Sequence, residues 1–395
     1  MPKLTEIAST FLRLGATSYG GPAIMGIFQT ELSEKRQWLP KERFLEGLSL
    51  VNMLPGATAV QLGIFIGYHR GGWWGGLLAG LAFVLPAFVV MLALTATYAS
   101  LGLTPILRGA LYGLGPVVLG IFVVAVYRLG RSAASTVPQA VIAIVAAVAT
   151  LGGYLGVATI LLLAGAAGLF LFHSKKVGSL AAAVFIVALL VVPSVWPSTP
   201  PVPSTSAPGV PAPTGLVQIA VYFFKVGALT VGGGLAMIPF IQDQVVREFR
   251  WLTPQEFIDG LALGQFTPGP IMMVSAYVGF KVAGLAGAAV AASAVFMPSF
   301  VMMLALLPTF DRVRRYTWMR AVLRGMAPAV IGLLAVSLFR LAPHALPDPF
   351  AAVMLVVTVV VLMATRVSTV RAMLAGAVVG VVRNRLIPFL AARAA

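Results

Sequence analysis

The chain has 395 residues, of which 59% are hydrophobic and only 10% charged, with a net charge of +16 and no cysteine. A soluble domain carries roughly 25% charged residues, so the chain is membrane-embedded, and without cysteine it has no disulfide framework, thiolate metal site or thiol nucleophile. Apolar runs of about 20 residues recur while alternating strands are absent, which favours an all-α polytopic membrane protein over a β-barrel.

The first candidate span, near residues 8–28, carries Arg13 and runs into Gly20-Gly21-Pro22, so it reads as mature structure and not as a signal peptide. The second, near 44–67, is interrupted by Pro55-Gly56. Further spans lie near 74–99, 106–128, 136–152 and 155–172. An apolar segment near 179–196 follows, then an uncharged stretch from Pro193 to Pro213 crowded with Pro, Ser and Thr. That composition favours extended, polyproline-like chain. A second set of spans then lies near 218–240, 257–280, 284–307, 321–341, 349–365 and 369–386, the first broken by Gly232-Gly233-Gly234 and the second by Pro268-Gly269-Pro270.

The two sets are copies. Phe11-Leu12-Arg13-Leu14-Gly15 returns about 212 residues later as Phe223-Phe224-Lys225-Val226-Gly227. Trp38-Leu39 returns as Trp251-Leu252, Leu54-Pro55-Gly56 as Thr267-Pro268-Gly269, and Pro86, Arg108, Pro116 and Arg128 as Pro298, Arg320, Pro328 and Arg340. A repeat of this length in a membrane protein is the signature of a transporter built from two related halves. The expected organisation is an N-terminal repeat over 1–178, a linking segment over 179–214 and a C-terminal repeat over 215–395.

Most of the positive charge reads as a topology signal. If each repeat crosses an even number of times, the unmatched segment turns the second half over. Arg70, Arg128, Arg131, Lys175 and Lys176 then share the cytoplasmic side with Arg312, Arg314, Arg315, Arg366 and Arg371. The mixed charges of 31–43 are the exception and land outside. The first span of each half, interrupted by glycines, could instead be re-entrant.

Broken spans expose backbone amides and carbonyls at membrane depth, which is tolerated only where they are buried or line a cavity. Matched interruptions in two halves are the best sequence pointer to a transporter's binding site, and a helix restarting after them offers an anion free amides and a positive dipole end. The alternative is that these residues only permit close packing or kinking. Arg13 and Lys225 occupy matched positions before the glycines; they either supply charge for an oxyanion or snorkel to the interface. Glu46 and Asp259 also match and are candidate proton carriers through desolvation, or simply acids favoured in a helix's first turn. Asn52 and Gln265, one turn before the Pro-Gly breaks, could donate amides to an oxyanion or bond between helices. No phosphate-loop, zinc-protease or nucleophile-elbow motif is present, and His69, His173 and His344 are scattered, so an enzyme has no specific support. Nothing in the sequence calls for a cofactor or a nucleic-acid partner.

Phe11-Leu12-Arg13-Leu14-Gly15 leading to Tyr19-Gly20-Gly21-Pro22-Ala23, then Leu54-Pro55-Gly56, Gln61-Leu62 and Ile66-Gly67-Tyr68, resembles the chromate ion transporter family. Val84-Leu85-Pro86-Ala87, Phe296-Met297-Pro298-Ser299, Thr230-Val231-Gly232-Gly233-Gly234 and Thr267-Pro268-Gly269-Pro270 strengthen the likeness, which spans nearly the whole chain and fits the long, two-domain type. The resemblance implies export of chromate across the cytoplasmic membrane, driven by the proton-motive force, with sulfate as a structural mimic and two halves in opposite orientations. Where many members read Pro-Gly-Pro-Glu-Ala-x-Gln, this chain has Pro55-Gly56-Ala57-Thr58-Ala59-Val60-Gln61. Thr58 replaces the acid, so any proton carrier must be Glu46, Asp259 or Asp243, or the coupling differs. A passive anion channel is the alternative, and a homodimer is compatible with the sequence.

Overall fold

The computed structural model describes residues 2–19, 22–101, 104–153, 155–180, 183, 215–231, 234–309, 317–365 and 367–394. Within these residues the chain is helical, with no strand. The unmatched segment 179–196 lies almost wholly outside the described residues, as do the Pro-rich linker, both Gly-Gly pairs (Gly20-Gly21 and Gly232-Gly233), Arg312, Arg314, Arg315 and Arg366.

The first half begins with α1 (Pro2–Thr17) and α2 (Pro22–Phe28), the latter continuing in π-helical geometry through Gln29–Lys35. These do not form one span. The Phe11 and Phe28 rings meet edge to face at 5.6 Å, whereas a straight helix would hold them about 25 Å apart. The chain therefore doubles back between α1 and α2. Arg36 and Arg70 consequently reach the same carboxylate, Glu6, at 3.8 and 3.2 Å. The loop that the even-crossing reading placed outside thus lies beside the N-terminus and Arg70, because the first element turns back instead of crossing.

The second candidate span also folds back. Helix α3 (Lys41–Val51) and the start of α4 (Thr58–Leu101) are joined by a non-helical turn holding Pro55-Gly56. Gly47 lies so close to the Phe65 ring that a β-carbon there would overlap it. Helix α4 then reverses at Gly71-Gly72, where Gly72 has φ +65°. Its arms pack backbone to backbone through Gly67 and Gly75, neither of which leaves room for a β-carbon. Three helices complete the half: α5 (Pro105–Ala133), α6 (Val137–Gly152) and α7 (Val157–Phe172). Thr136 and Gln139 start α6 with a capping box, and Gly153 ends it in the left-handed conformation, as expected for helix boundaries.

The second half repeats this plan. Helix α8 (Leu216–Leu229) is followed by α9 (Met237–Phe240) and a π-helical turn over Ile241–Glu248, then α10 (Pro254–Phe266) and α11 (Val274–Leu306), which reverses at Ala283-Gly284. Last come α12 (Thr317–Ala345), α13 (Pro349–Ala364) and α14 (Thr369–Ala394). Even local strain is copied: Gln37 and Arg250 both carry positive φ, 53° and 54°.

The halves are exchanged, not merely apposed. Helix α5 packs on α13 and α14 of the second half, and α12 packs on α6 and α7 of the first. Glycines line both seams: Gly109 and Gly113 face Gly376 and Gly380, while Gly325 faces Ala164 and Gly168. In lipid, where apolar surface gives no net hydrophobic attraction between helices, such close backbone approach supplies the packing energy. Arg128 donates to the Leu362 carbonyl at 2.7 Å and Arg340 to the Thr150 carbonyl at 2.6 Å, so each half caps a short helix of the other. Among the described residues, four stretches are long and apolar enough to cross a bilayer by length and composition: Thr58–Ser100, Pro105–Ala133, Ile271–Leu306 and Trp318–Ala345.

Candidate functional site

The tips of the folded-back hairpins meet between the halves. The Gly56 amide donates to the Thr230 carbonyl at 2.6 Å, and the Gly269 amide donates to the Ser18 carbonyl at 2.7 Å. Ser18 and Thr230 immediately follow α1 and α8. Each Pro-Gly turn is therefore hydrogen-bonded to the chain entering the opposite half's glycine cluster. Both glycines have positive φ, 120° at Gly56 and 87° at Gly269, a region that favours residues without a β-carbon.

The junction is polar and closely packed, but its halves differ. The Ala57 amide donates to Ser299 Oγ at 2.8 Å; the matched positions are Pro270, which has no N–H, and Ala87, which has no hydroxyl. Gln61 is fully buried and donates from Nε2 to the Pro55 carbonyl at 2.7 Å. Its Oε1 has no partner among the described residues, nor do the buried hydroxyls of Ser18 and Ser275. Thr58 opens the first arm of α4 beside the junction, while Thr267 returns its hydroxyl to the Leu263 carbonyl at 2.9 Å. Pro268 and Pro270 are buried and Pro55 is half-buried. Gly234 packs on Ile271, one residue past Pro270. Pro22 opens α2.

The remaining candidates lie away from the tips. Arg13 is exposed and ion-paired with Glu31, and Lys225 is exposed as well. Asp243 pairs with Arg247 across one turn at 3.4 Å. Glu46 and Asp259, equivalent in sequence, are not equivalent in space. Glu46 is partly exposed and paired with Arg43 at 2.6 Å. Asp259 is 4% exposed and accepts from Tyr98 at 3.0 Å and from Gln255 at 3.2 Å. The nearby cation, Lys281, is engaged with Glu256 at 2.7 Å.

Asn52 lies on an open cleft of about 390 Å³ together with Ser49, Ser132, Gln139, Arg320 and Arg324. Its counterpart Gln265 is half-buried. Ser299, Tyr98 and the two cleft arginines were not among the site residues expected from sequence. Ser299 lies in the Phe296-Met297-Pro298-Ser299 motif, but its role depends on a partner 242 residues away.

Duplicated apolar helices, exchanged between halves and meeting through their Pro-Gly turns, define an integral membrane protein of transporter type. The sequence model of the family described as "Chromate transporter" matches twice, over residues 5–171 and 217–381, and the chain belongs to that family. It is 32% identical over 370 residues to a chromate transport protein of Cupriavidus metallidurans, covering 91% of this chain and 88% of that protein. It is also 32% identical over 354 residues to a probable chromate transport protein of Synechococcus elongatus, covering 87% and 86%. A chromate transport protein of Pseudomonas aeruginosa is 30% identical over 339 residues, covering 85% and 80%. No solved structure matches the chain. Family membership makes this a multi-pass membrane ion transporter, in keeping with the cytoplasmic membrane, and relatives named as transport proteins suggest that it is not an enzyme.

Proposed function

We propose that the chain exports chromate, or a similar tetrahedral dianion such as sulfate, across the cytoplasmic membrane at the expense of the proton-motive force. The observation that carries this reading is the reciprocal bonding of Gly56 to Thr230 and Gly269 to Ser18, which gathers the breaks of both halves at one place. Helix starts at Thr58 and Ile271 flank that place, and a helix start favours an anion. The names of the relatives support chromate as the ion.

The repeats, bounded at 1–178 and 215–395, insert in opposite orientations. Support comes from the matched helices themselves. The second arm of α4 approaches that of α11 through Gly76 at Leu304 and Gly80 at Phe300, and α5 approaches α12 through Gly115 at Ala345 and Gly130 at Ile331. In each pair one number rises as the other falls, so the symmetry-related helices are antiparallel. A two-fold relation between antiparallel spanning helices has its axis in the membrane plane. Positive charge then puts Arg36, Arg70, Arg128 and Arg131 in the cytoplasm with the N-terminus.

Asp259 is the proton carrier in this reading, since it is buried against Tyr98 whereas Glu46 is neutralised by Arg43. Everted membrane vesicles test the proposal through uptake of radiolabelled chromate and sulfate, with and without a protonophore. Protein-dependent accumulation that collapses with the gradient and is lost in Asp259→Asn is expected. Absence of accumulation of either ion overturns the reading, and flux indifferent to both gradient and Asp259→Asn assigns a passive channel instead.

A further inference from the structure

The two halves repeat one another in sequence, but their matched surfaces do not have matched exposure. Ser49 of α3 and Asn52 just past its end are exposed and face a cleft completed by Ser132, Gln139, Arg320 and Arg324, and Leu45, one turn before Ser49, is exposed as well. Their counterparts on α10 are Ile258, Ala262 and Gln265, of which the first two are buried and the third half-buried. Leu45 is 47% exposed and Ile258 is 3% exposed. One port is open and its symmetry mate is shut.

The residues that shut it are visible. At the position matching Arg324 the first half has Tyr112, whose hydroxyl donates to both oxygens of Asp348 at 2.7 and 2.9 Å. Asp348 in turn accepts from Arg383 at 2.6 Å, and that guanidinium stacks 4.3 Å from the Tyr112 ring. This latch joins α5, the start of α13 and α14. Beside it Gly115 lies against Ala345 and Ile258, filling the space that is cleft in the other half.

The open port is basic. Arg320 and Arg324 form no ion pair among the described residues, and Arg320 sits in the first turn of α12, where the helix dipole disfavours a cation. Two unneutralised guanidiniums beside Ser49, Asn52, Ser132 and Gln139 make a cleft of one sign, which concentrates anions. Met53, which also lines the cleft, is followed in the chain by Leu54, Pro55 and Gly56 of the junction.

We infer that this cleft is the port through which a tetrahedral dianion reaches the junction, with Arg320 and Arg324 capturing it at the mouth, and that Tyr112, Asp348 and Arg383 latch the matched port on the opposite face. The inference rests on the oxyanion-transport reading for the identity of the ion and on the inverted arrangement for which face each port opens to. In that arrangement the open port lies on the cytoplasmic side, where an exported ion enters.

The chain has no native cysteine, so single cysteines report accessibility in the full protein without further engineering. In membrane vesicles of defined sidedness, Asn52→Cys is expected to react with a membrane-impermeant maleimide from the cytoplasmic face, and Gln265→Cys to be shielded from both faces. Adding Asp348→Asn to Gln265→Cys is expected to raise its labelling from the opposite face by about tenfold. Equal labelling at the two matched positions, or no effect of Asp348→Asn, overturns the port assignment whether or not any ion is transported. In the same vesicles, Arg320→Gln/Arg324→Gln is expected to raise the KM for chromate roughly tenfold with little change in maximal rate, and Arg320→Lys/Arg324→Lys to restore it. An unchanged KM in a monodisperse double variant overturns the capture role. Labelling as expected with no transport of chromate or sulfate by the parent chain separates failure of the oxyanion reading from failure of the ports.

Discussion

At Gly56 and Gly269 the same residue meets different demands. Both have positive φ, so a side chain at either costs about 1–3 kcal/mol in backbone strain. A β-carbon on Gly56 would in addition overlap Ser299 Oγ and Gln61 Nε2, whereas one on Gly269 meets the Ala87 methyl at 3.2 Å and the Gly15 carbonyl oxygen at 3.8 Å. Gly56→Ala is therefore expected to lower the thermal midpoint of the purified protein more than Gly269→Ala, and to cut transport further. Parallel melts of the two variants in detergent check the order; equal losses would show that φ alone matters. The Pro-Gly turns were legible in sequence because the two residue types stand side by side there, at matched positions of both halves, whereas the single prolines Pro86, Pro116, Pro298 and Pro328 are carried inside helices. Ser299 as the partner was not, because its bond to Ala57 joins distant segments. The same limit hid the difference between Glu46 and Asp259. Sequence does show that Arg43, three residues before Glu46, becomes Glu256 before Asp259, which removes the neutralising cation. It does not show Tyr98 arriving from α4.

Among the elements, caps tie the exchanged helices together. Asp348 starts α13 by accepting from the Ala351 amide at 2.9 Å while holding Tyr112 of α5 and Arg383 of α14. The capping bond, then the Tyr112 hydroxyl, keep its carboxyl below the usual range. A lowered folded pKa means that the stabilisation is fully present above the unfolded value near 3.9 and is lost as pH falls through the folded value. Asn is also a good N-cap, so Asp348→Asn removes the charge while keeping the helix start. It is expected to cost about 1 kcal/mol at pH 7, given partial exposure, and the deficit should narrow as acid protonates the parent carboxyl. Melting both proteins from pH 7 to pH 3 tests this; a constant gap would mean that the loss is steric. The helical spans themselves were readable from hydropathy, but the first two of each half proved to be hairpins. Hydropathy counts apolar length and is blind to direction, so two short arms joined by glycine look like one long span. Arg128 was readable as a topology signal and Arg340 as its repeat mate, whereas their caps, Arg128 on Leu362 and Arg340 on Thr150, depend on the exchange.

Over the whole molecule, duplication was fully legible and exchange was not, since a repeat says that two units exist and nothing about which helices each unit keeps. The exchange has a mechanical consequence. If α6 and α7 packed on their own α5, either half could close its glycine seam alone. Because α5 instead needs α13 and α14, and α12 needs α6 and α7, each half by itself presents Gly109 and Gly113, or Gly325, to lipid with no backbone opposite. Those faces lack side chains that could pack against acyl chains, and interhelical van der Waals contact is the main force available in the bilayer. Cutting the chain between Ser204 and Thr205 leaves every described contact intact when both pieces are present. Residues 1–204 and 205–395 are therefore expected to co-purify and to support transport when made together, and to be degraded or aggregate when made singly. Tandem affinity purification with tags on opposite pieces, followed by size-exclusion chromatography, measures this. A monodisperse, stable single piece would mean that the halves can pair their helices internally, and that the exchanged packing is one of two arrangements open to the chain.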